Sequence, residues 1–115
     1  MKLSNIVSDE VVKVSSGGTY DDLESHLVEP GTILEVTHVS IENRTTAYTR
    51  LVIGIADGTL FFEKEEQDSP AADNLYWASD KFFVPPGKKL RARLTGCTSG
   101  DDLHMTYEGR LWETD

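Results

Sequence analysis

The sequence predicts an all-β protein, an antiparallel eight-stranded β-sandwich that resembles a jelly roll. Segments of alternating apolar and polar residues recur along the 115-residue chain, with Gly-, Pro-, Asn- and Asp-rich turn signals between them. No segment has a convincing helical period. The sequence Val-x-Pro-Gly occurs at residues 28–31 and again at 84–87, each time before a long strand. This repetition suggests two halves, and eight strands in two Greek keys form a jelly roll.

Length and charge set the broad class. The chain is long enough for one domain. Its single cysteine, Cys97, has no internal disulfide partner, which fits a reducing compartment. The formal charge of -9, from 20 acidic and 11 basic residues, argues against a nucleic-acid partner. No apolar run is long enough to span a membrane, and the first ten residues lack the apolar core of a signal peptide. We therefore predict neither a nucleic-acid nor a membrane partner.

The chain begins with a polar segment. We predict an N-terminal arm over residues 1–9, followed by a single sandwich domain over 10–115 whose first strand covers 10–15. Residues 19–28 fit either a helix capped by a threonine or a bulged strand. The strand is favoured, because residues 28–31 then form a type II turn with Pro30 and Gly31 at its centre.

The longest predicted strand covers residues 32–43. Its apolar face changes parity between Leu34 and Val39, which predicts a β-bulge near Thr37. A hairpin follows, with Asp57-Gly58 as its two-residue turn. Its predicted inward side chains are Leu51, Ile53, Ile55, Leu60 and Phe62.

The second half begins with an acid-rich segment, residues 63–74, which we interpret as a solvated loop. Residues 75–84 are predicted as one strand, ended by the second Pro-Gly turn. The last two strands, at 89–95 and 102–113, have the strictest alternation in the chain. Their outward side chains include Lys89, Arg91, Arg93, Arg110 and Trp112.

No catalytic signature is present: the sequence has no nucleophile elbow, P-loop or dinucleotide fingerprint. Cys97 has no nearby base in sequence and is interpreted as an inert thiol. His26, His38 and His104 lack the His-x-His spacing of cupin-type metal enzymes. Acidic residues in the turns are typical turn formers, and no EF-hand loop occurs. We predict no catalytic residue, no metal and no cofactor.

Two tryptophans, Trp77 and Trp112, leave three interpretations open. Each can pack in the core, anchor a protein interface, where tryptophan is enriched among hot spots, or stack on a sugar ring.

One segment supports a family resemblance. Residues 82–113, FFVPPGKKLRARLTGCTSGDDLHMTYEGRLWE, resemble the end of small β-sandwich structural proteins of tailed-phage virions. In those proteins a Pro-Gly turn leads to a strand, a Gly-Thr-x-Gly-Asp loop and a closing strand with a final aromatic residue. The resemblance covers the last third of the chain. In the rest, only the spacing of turns and strands is similar.

The resemblance implies a non-enzymatic virion structural protein. The main role that it implies is a capsid decoration (cement) protein, which binds the phage head surface and stabilises the shell. A small tail or head-tail component is the other implied role. The implied partner is the major capsid protein or another virion protein, the implied assembly is a homo-oligomer such as a trimer, and the implied location is the virion, assembled in the host cytoplasm. A carbohydrate-binding β-sandwich module is the alternative function.

The predicted partner-binding residues form two groups. The arm contributes a tether between subunits through its few apolar side chains, and its deletion is predicted to weaken attachment while leaving the fold intact. The outward strand faces contribute basic side chains and one tryptophan. Together these residues are Leu3, Ile6, Val7, Arg91, Arg93, Arg110 and Trp112.

Overall fold

A computed structural model describes residues 1–114 and confirms the all-β sandwich. Sheet A has five strands and sheet B has four, all antiparallel, and the two sheets pack face to face. The described residues form nine strands, one more than predicted: β1 Lys2–Val14, β2 Tyr20–Glu24, β3 Thr32–Asn43, β4 Arg50–Asp57, β5 Leu60–Asp68, β6 Tyr76–Ala78, β7 Phe82–Val84, β8 Lys89–Thr95 and β9 Asp102–Glu113. No helix in this part of the chain could cross a membrane.

The strand order explains how the core is enclosed. Sheet A has the order β1-β9-β3-β6, with β7 also paired to β3, and sheet B has the order β2-β8-β4-β5. Apart from the β4–β5 hairpin, paired strands are not consecutive in the chain, which therefore crosses between the sheets repeatedly, as in a jelly roll. The alternation in β8 and β9 predicted the core side chains correctly: Leu90, Leu94, Leu103 and Met105 are fully buried.

The two Val-x-Pro-Gly sequences form the predicted type II turns. Gly31 and Gly87 have φ angles of 82° and 81°, a region that favours glycine. Each turn is closed by one backbone hydrogen bond: the Thr32 amide donates to the Glu29 carbonyl at 3.2 Å, and the Lys88 amide donates to the Pro85 carbonyl at 3.3 Å. The turns also lie side by side: the Val28 amide donates to the Lys88 carbonyl at 3.0 Å, and the Gly87 amide donates to the Val28 carbonyl at 2.8 Å. The repeated turn therefore joins the two sheets at one end of the sandwich.

The bulge predicted in β3 is present. Its register with β9 shifts between Val36 and His38, and the strand buries Val39 after the shift. Gly109 of β9 lies opposite the bulge, where an added Cβ would be 2.1 Å from the carbonyl oxygen of Glu35. The bulge thus brings two backbones so close that only glycine fits.

The structure corrects the predicted start of the domain. Residues 2–9 are not a separate arm but the first part of β1, which pairs with β9 along its whole length. Val7 packs against the core, whereas Ile6 is 73% exposed. Because polar residues occur on both faces of this edge strand, its sequence does not alternate between apolar and polar residues, and its part over residues 2–9 was not predicted. Deletion of residues 1–9 would remove more than half of β1. We therefore expect this deletion to destabilise the fold, contrary to the expectation for a separate arm.

Three further predictions in the middle of the chain need correction. The hairpin turn consists of Gly58 and Thr59, one residue later than expected, and the two apolar residues predicted to point into the core after it, Leu60 and Phe62, are 57% and 49% exposed. β5 continues through the predicted loop to residue 68, because it stays paired with β4 along this stretch. Arg50 of β4 forms ion pairs with two glutamates on this edge strand, Glu63 and Glu66. A charged edge strand discourages pairing with other chains.

The strand predicted at residues 75–84 is divided in two. β6 and β7 contain three residues each, and both pair with β3, on either side of residues 79–81. β7 pairs with β3 before the bulge, and β6 pairs with β3 after it. The predicted strand is therefore interrupted where β3 changes register. Trp77 of β6 is 64% exposed, which excludes the core interpretation for that residue.

A buried polar cluster closes the end of the sandwich away from the Pro-Gly turns. The Asp101 carboxylate is 1% exposed and accepts hydrogen bonds from the Asn43 amide, the Thr46 hydroxyl and the Thr98 backbone amide. The Asn43 amide also lies 3.6 Å from the Cys97 sulfur. Burial raises the pKa of the Cys97 thiol to about 11, which makes its thiolate scarce at neutral pH. This set, the Asp101 cluster, joins loops that follow β3 and β8.

Candidate functional site

The structure separates the predicted partner-binding residues. Arg91 and Arg93 lie on the outer face of sheet B, whereas Arg110 and Trp112 lie on the outer face of sheet A. These faces are on opposite sides of the sandwich, so one flat partner cannot contact both. The cross-strand pairs of β1 and β9 bring Leu3 and Ile6 beside Trp112 and Arg110, respectively; Val7, in contrast, points inward.

The basic residues of β8 are neutralised by acidic residues of β2. Arg93 binds Asp22 with two hydrogen bonds, at 2.9 and 3.0 Å. The guanidinium of Arg91 lies 2.7 Å from a carboxylate oxygen of Glu24. Lys89 is 3.8 Å from the same carboxylate. The expected basic surface is therefore a strip of paired charges, with little net attraction for an acidic partner.

Aromatic rings cover the same strip. The guanidinium carbon of Arg93 is 3.9 Å from the centre of the Tyr20 ring and 5.1 Å from that of Phe61. Both distances fit cation–π contacts. These rings stack on arginines of their own chain, and Tyr20 remains 48% exposed.

The outer face of sheet A has two different ends. Near its Trp112 end, the buried carboxylate of Glu35 accepts a hydrogen bond from the Trp112 indole at 2.9 Å. Lys81 and Arg110 each approach this carboxylate to 3.6 Å. The Trp112 hydrogen bond outweighs the opposing effect of burial and, with the two cations, lowers the pKa of Glu35. Trp112 is thus held by its own chain.

Exposed apolar side chains surround this ion cluster. Leu3, Ile6 and Phe83 are 44%, 73% and 45% exposed. We call these three residues the apolar end of sheet A. Ile6 and Phe83 lie in one cross-strand row at opposite edges of the sheet, with Arg110 and Glu35 between them, so the apolar side chains flank the ion cluster on both sides.

The other end carries an exposed tryptophan on a rigid support. Trp77 stacks on His38, with ring centres 6.1 Å apart and ring planes at 27°. His38 shares a hydrogen bond of 2.9 Å with the Ser79 hydroxyl. β6 presents Trp77 outward because its neighbours Tyr76 and Ala78 pack toward the core. We call Trp77, His38 and Ser79 the Trp77 platform.

A row of polar residues crosses sheet A from this platform. Trp77 pairs with Ser40, Ser40 with Thr106, and Thr106 with Glu10. Neighbouring strands lie about 4.8 Å apart, so this row across four strands is about 14 Å long. The adjacent cross-strand pairs are also polar, namely His38 with Glu108 and Glu42 with His104. We call the row from Trp77 to Glu10 the polar lane.

A cleft adjoins the platform on its other side. Glu65, Glu66 and Gln67 of β5 line this opening of about 150 Å³, together with Tyr76 and Trp77. The Tyr76 hydroxyl accepts a hydrogen bond from a backbone amide at 2.8 Å, which holds β6 in place. Trp77 therefore lies between two sets of polar side chains, those of the cleft on one side and those of the polar lane on the other.

The three histidines lie in separate environments. His26 is near Asp9 at 3.9 Å, His38 belongs to the platform, and His104 lies 2.8 Å from Asp102. Among residues 1–114, no group of three or more His, Cys, Asp or Glu side chains could hold a metal ion.

Sequence reasoning singled out Trp77 but not its neighbours. Ser40 and Thr106 alternate with apolar residues of their strands, so the sequence already indicated that both point away from the core. The sequence did not indicate the strand order. Ser40 and Thr106 align with Trp77 because β6 and β9 both pair with β3.

Two solved structures are similar to this chain. One, described as "CBM4 structure and function", has 14% sequence identity and a TM-score of 0.41, covering 91% of this chain and 82% of that chain. The other is the N-terminal cellulose-binding domain of β-1,4-glucanase C from Cellulomonas fimi, with 13% identity and a TM-score of 0.40, covering 92% of this chain and 78% of that chain. No protein-family model matches the sequence, and no curated protein matches it. At these values the similarity does not extend to ligands or binding residues.

Proposed function

We propose that this protein is a non-catalytic carbohydrate-binding module that holds an oligosaccharide across the outer face of sheet A. The observation that carries the proposal is the exposed Trp77 ring, fixed on His38 and flanked by hydrogen-bonding groups on both sides. The module acts by binding and converts no substrate.

Sugar chemistry explains why this combination is suitable. The C–H face of a pyranose ring is apolar and fits against a flat aromatic ring, while its hydroxyl groups require donors and acceptors around the rim. The polar lane supplies the Thr106 hydroxyl and the Glu10 carboxylate, while its Ser40 is buried at 7% exposure beside Trp77. The cleft supplies the Glu65 carboxylate and the Gln67 amide. A flat lane of about 14 Å suits an extended chain of several sugars rather than a single ring.

Charge adds a preference for the kind of sugar. The chain carries a net charge of -9, and the carboxylates of Glu65 and Glu10 lie around the proposed site. Carboxylates accept hydrogen bonds from neutral hydroxyls but repel anionic groups. The expected ligands are therefore uncharged polysaccharides, and uronic-acid or sulfated polymers should bind weakly.

Replacement of Trp77 by alanine tests the proposal. We expect the wild type to bind at least one member of a panel of soluble neutral oligosaccharides in isothermal titration calorimetry. Loss of one stacked ring should weaken that binding about tenfold or more. Because Trp77 is 64% exposed, the thermal unfolding temperature should change little.

The matched control is Phe83→Ala, which removes another exposed aromatic ring from the same face of sheet A. This variant should retain wild-type affinity. The proposal fails if the wild type binds no glycan of the panel, or if Trp77→Ala and Phe83→Ala bind equally well.

A second function is supported by a separate feature, the apolar end of sheet A. Leu3, Ile6 and Phe83 expose apolar side chains on both sides of the ion cluster on one face of the sheet, and protein contacts combine apolar and polar groups in this way. We propose this patch as the contact by which a virion structural protein, such as a capsid decoration protein, would form homo-oligomers or attach to a major capsid protein. Both functions can coexist, since they use opposite ends of the face.

The apolar end predicts self-association that one charge abolishes. Sedimentation velocity of the wild type should show oligomers at concentrations of tens of micromolar, and Ile6→Glu should be monomeric, because a buried unpaired carboxylate is strongly unfavourable. Val12→Glu is the control, since Val12 is also exposed on β1 but pairs with His104, away from the patch. A monomeric wild type, or equal association of both variants, would contradict the homo-oligomer.

A further inference from the structure

A cavity opens between the two sheets at the edge formed by β1. Beyond β2, residues 25–28 continue along β8 without forming a strand, and the Ser25 amide donates to the Leu90 carbonyl at 2.9 Å. This irregular segment covers β1 less closely than a strand would. The result is a cavity of about 320 Å³ whose apolar walls include Val7, Leu27, Leu34 and Leu111.

The cavity has the size and lining of a small-molecule site. Ligand pockets usually measure about 300–1,000 Å³ and are mostly apolar with a few fixed polar groups. An apolar cavity of about 150 Å³ is sufficient for benzene. The space here therefore accommodates a phenyl ring with a short side chain. One wall, Leu27, is 54% exposed, so a bound apolar group would cover surface that water now contacts.

The polar groups of the cavity are arranged around one carboxylate. Asp9 accepts a hydrogen bond from its neighbouring backbone amide at 2.8 Å and another from the Tyr107 hydroxyl at 3.3 Å. Tyr107 is 3% exposed, and its burial, followed by the nearby Asp9 charge, raises its pKa to about 12. Tyr107 thus remains a donor to Asp9, whose side chain is 42% exposed and open to a ligand.

The charges select the ligand. The lining contains two carboxylates, Asp9 and Glu29, and neither lysine nor arginine. His26 approaches Asp9 to only 3.9 Å, and its side chain is 95% exposed to solvent. Two donors leave acceptor positions on Asp9 unused, because a carboxylate can accept about four hydrogen bonds. An ammonium group can fill these positions, whereas an anion would be repelled.

We propose that this cavity binds small organic cations, with an apolar body between Val7 and Leu111 and an ammonium group on Asp9. This site is separate from the Trp77 platform, which lies at the opposite edge of sheet A.

The test compares three probes of similar shape on the full chain: phenethylammonium, phenethyl alcohol and hydrocinnamate. In ¹H–¹⁵N NMR titrations, phenethylammonium should shift the amide signals of Val7, Tyr107 and Leu111, and should bind at least about fivefold more tightly than the alcohol. Hydrocinnamate should bind most weakly. In Asp9→Asn, which preserves shape and an acceptor, the affinity for the ammonium should fall to that for the alcohol.

Asp80→Asn is the control, because it removes one exposed carboxylate between β6 and β7, at the edge of sheet A opposite the cavity, and should leave all three affinities unchanged. The proposal is overturned if no probe shifts the cavity signals at millimolar concentration, or if hydrocinnamate binds as tightly as phenethylammonium. It is equally overturned if Asp9→Asn retains the preference for the cation. A well-dispersed spectrum of Asp9→Asn verifies that the variant is folded.

Discussion

Replacement of Gly109 by alanine should destabilise the protein by about 3 kcal/mol or more, near the upper range for an overpacked site. The added Cβ would be 2.1 Å from the carbonyl oxygen of Glu35 and 3.2 Å from the Cα of Val36. Both atoms belong to the backbone of β3, so no side-chain rotation relieves the overlap. Only separation of β3 from β9 does, and these strands form the centre of sheet A.

Urea denaturation measures this effect. Small domains are stable by about 5–15 kcal/mol, so Gly109→Ala should lower the midpoint strongly or leave the chain unfolded. Gly18→Ala is the matched control, since its nearest neighbour would be the Ser16 hydroxyl at 3.8 Å, and it should change stability by less than about 0.5 kcal/mol. Equal midpoints for the two variants would show that β3 can move away from β9.

Gly54 offers an informative comparison. An alanine there would also approach a carbonyl oxygen, that of Phe62, to 2.1 Å. The register of β4 and β5 shifts at this position, as that of β3 and β9 does near Gly109. β5 is an edge strand, so it can move outward, and Gly54→Ala should cost less than Gly109→Ala.

The second large effect is expected from the Asp101 cluster. Asp101→Ala removes the acceptor shared by the Asn43 amide, the Thr46 hydroxyl and the Thr98 backbone amide. A buried donor without a partner costs about 1–3 kcal/mol, so the variant should lose about 3 kcal/mol in total. Asp101→Asn retains one acceptor oxygen and should lose less. Asp80→Ala, in an exposed turn, should be close to wild type.

The charge of Asp101 also predicts a dependence on pH. Burial alone would raise the pKa of this carboxyl, but the hydrogen bonds from Thr46, Asn43 and Thr98 outweigh burial and lower it below its ordinary value of 3.8. A lowered pKa means that the folded state favours the ionised form. The resulting stability is complete above the ordinary value and disappears as the pH falls through the lowered one.

Urea midpoints measured from neutral pH down to about pH 2 test this. The wild type should lose more stability below about pH 4 than Asp101→Asn, which has no proton to gain at that position. Parallel pH profiles for the two proteins would contradict a lowered pKa at Asp101.

The sequence by itself determined the fold class, the two Pro-Gly turns and the bulge in β3. It could do so because each depends on local chemistry: alternation reports which side of a strand is buried, proline and glycine favour type II turns, and a change of parity requires an extra residue. The inward faces of β8 and β9 were predictable for the same reason.

Only the tertiary structure decided what the outward faces do. β1 and β5 are edge strands with exposed polar residues, so alternation did not show their full length. Arg91 and Arg93 looked free until β2 placed Asp22 and Glu24 beside them. The Trp77 platform exists because β6 pairs with β3. An outward side chain has no burial pattern of its own, and its neighbours depend on which strands meet, which is set by contacts between residues far apart in the chain.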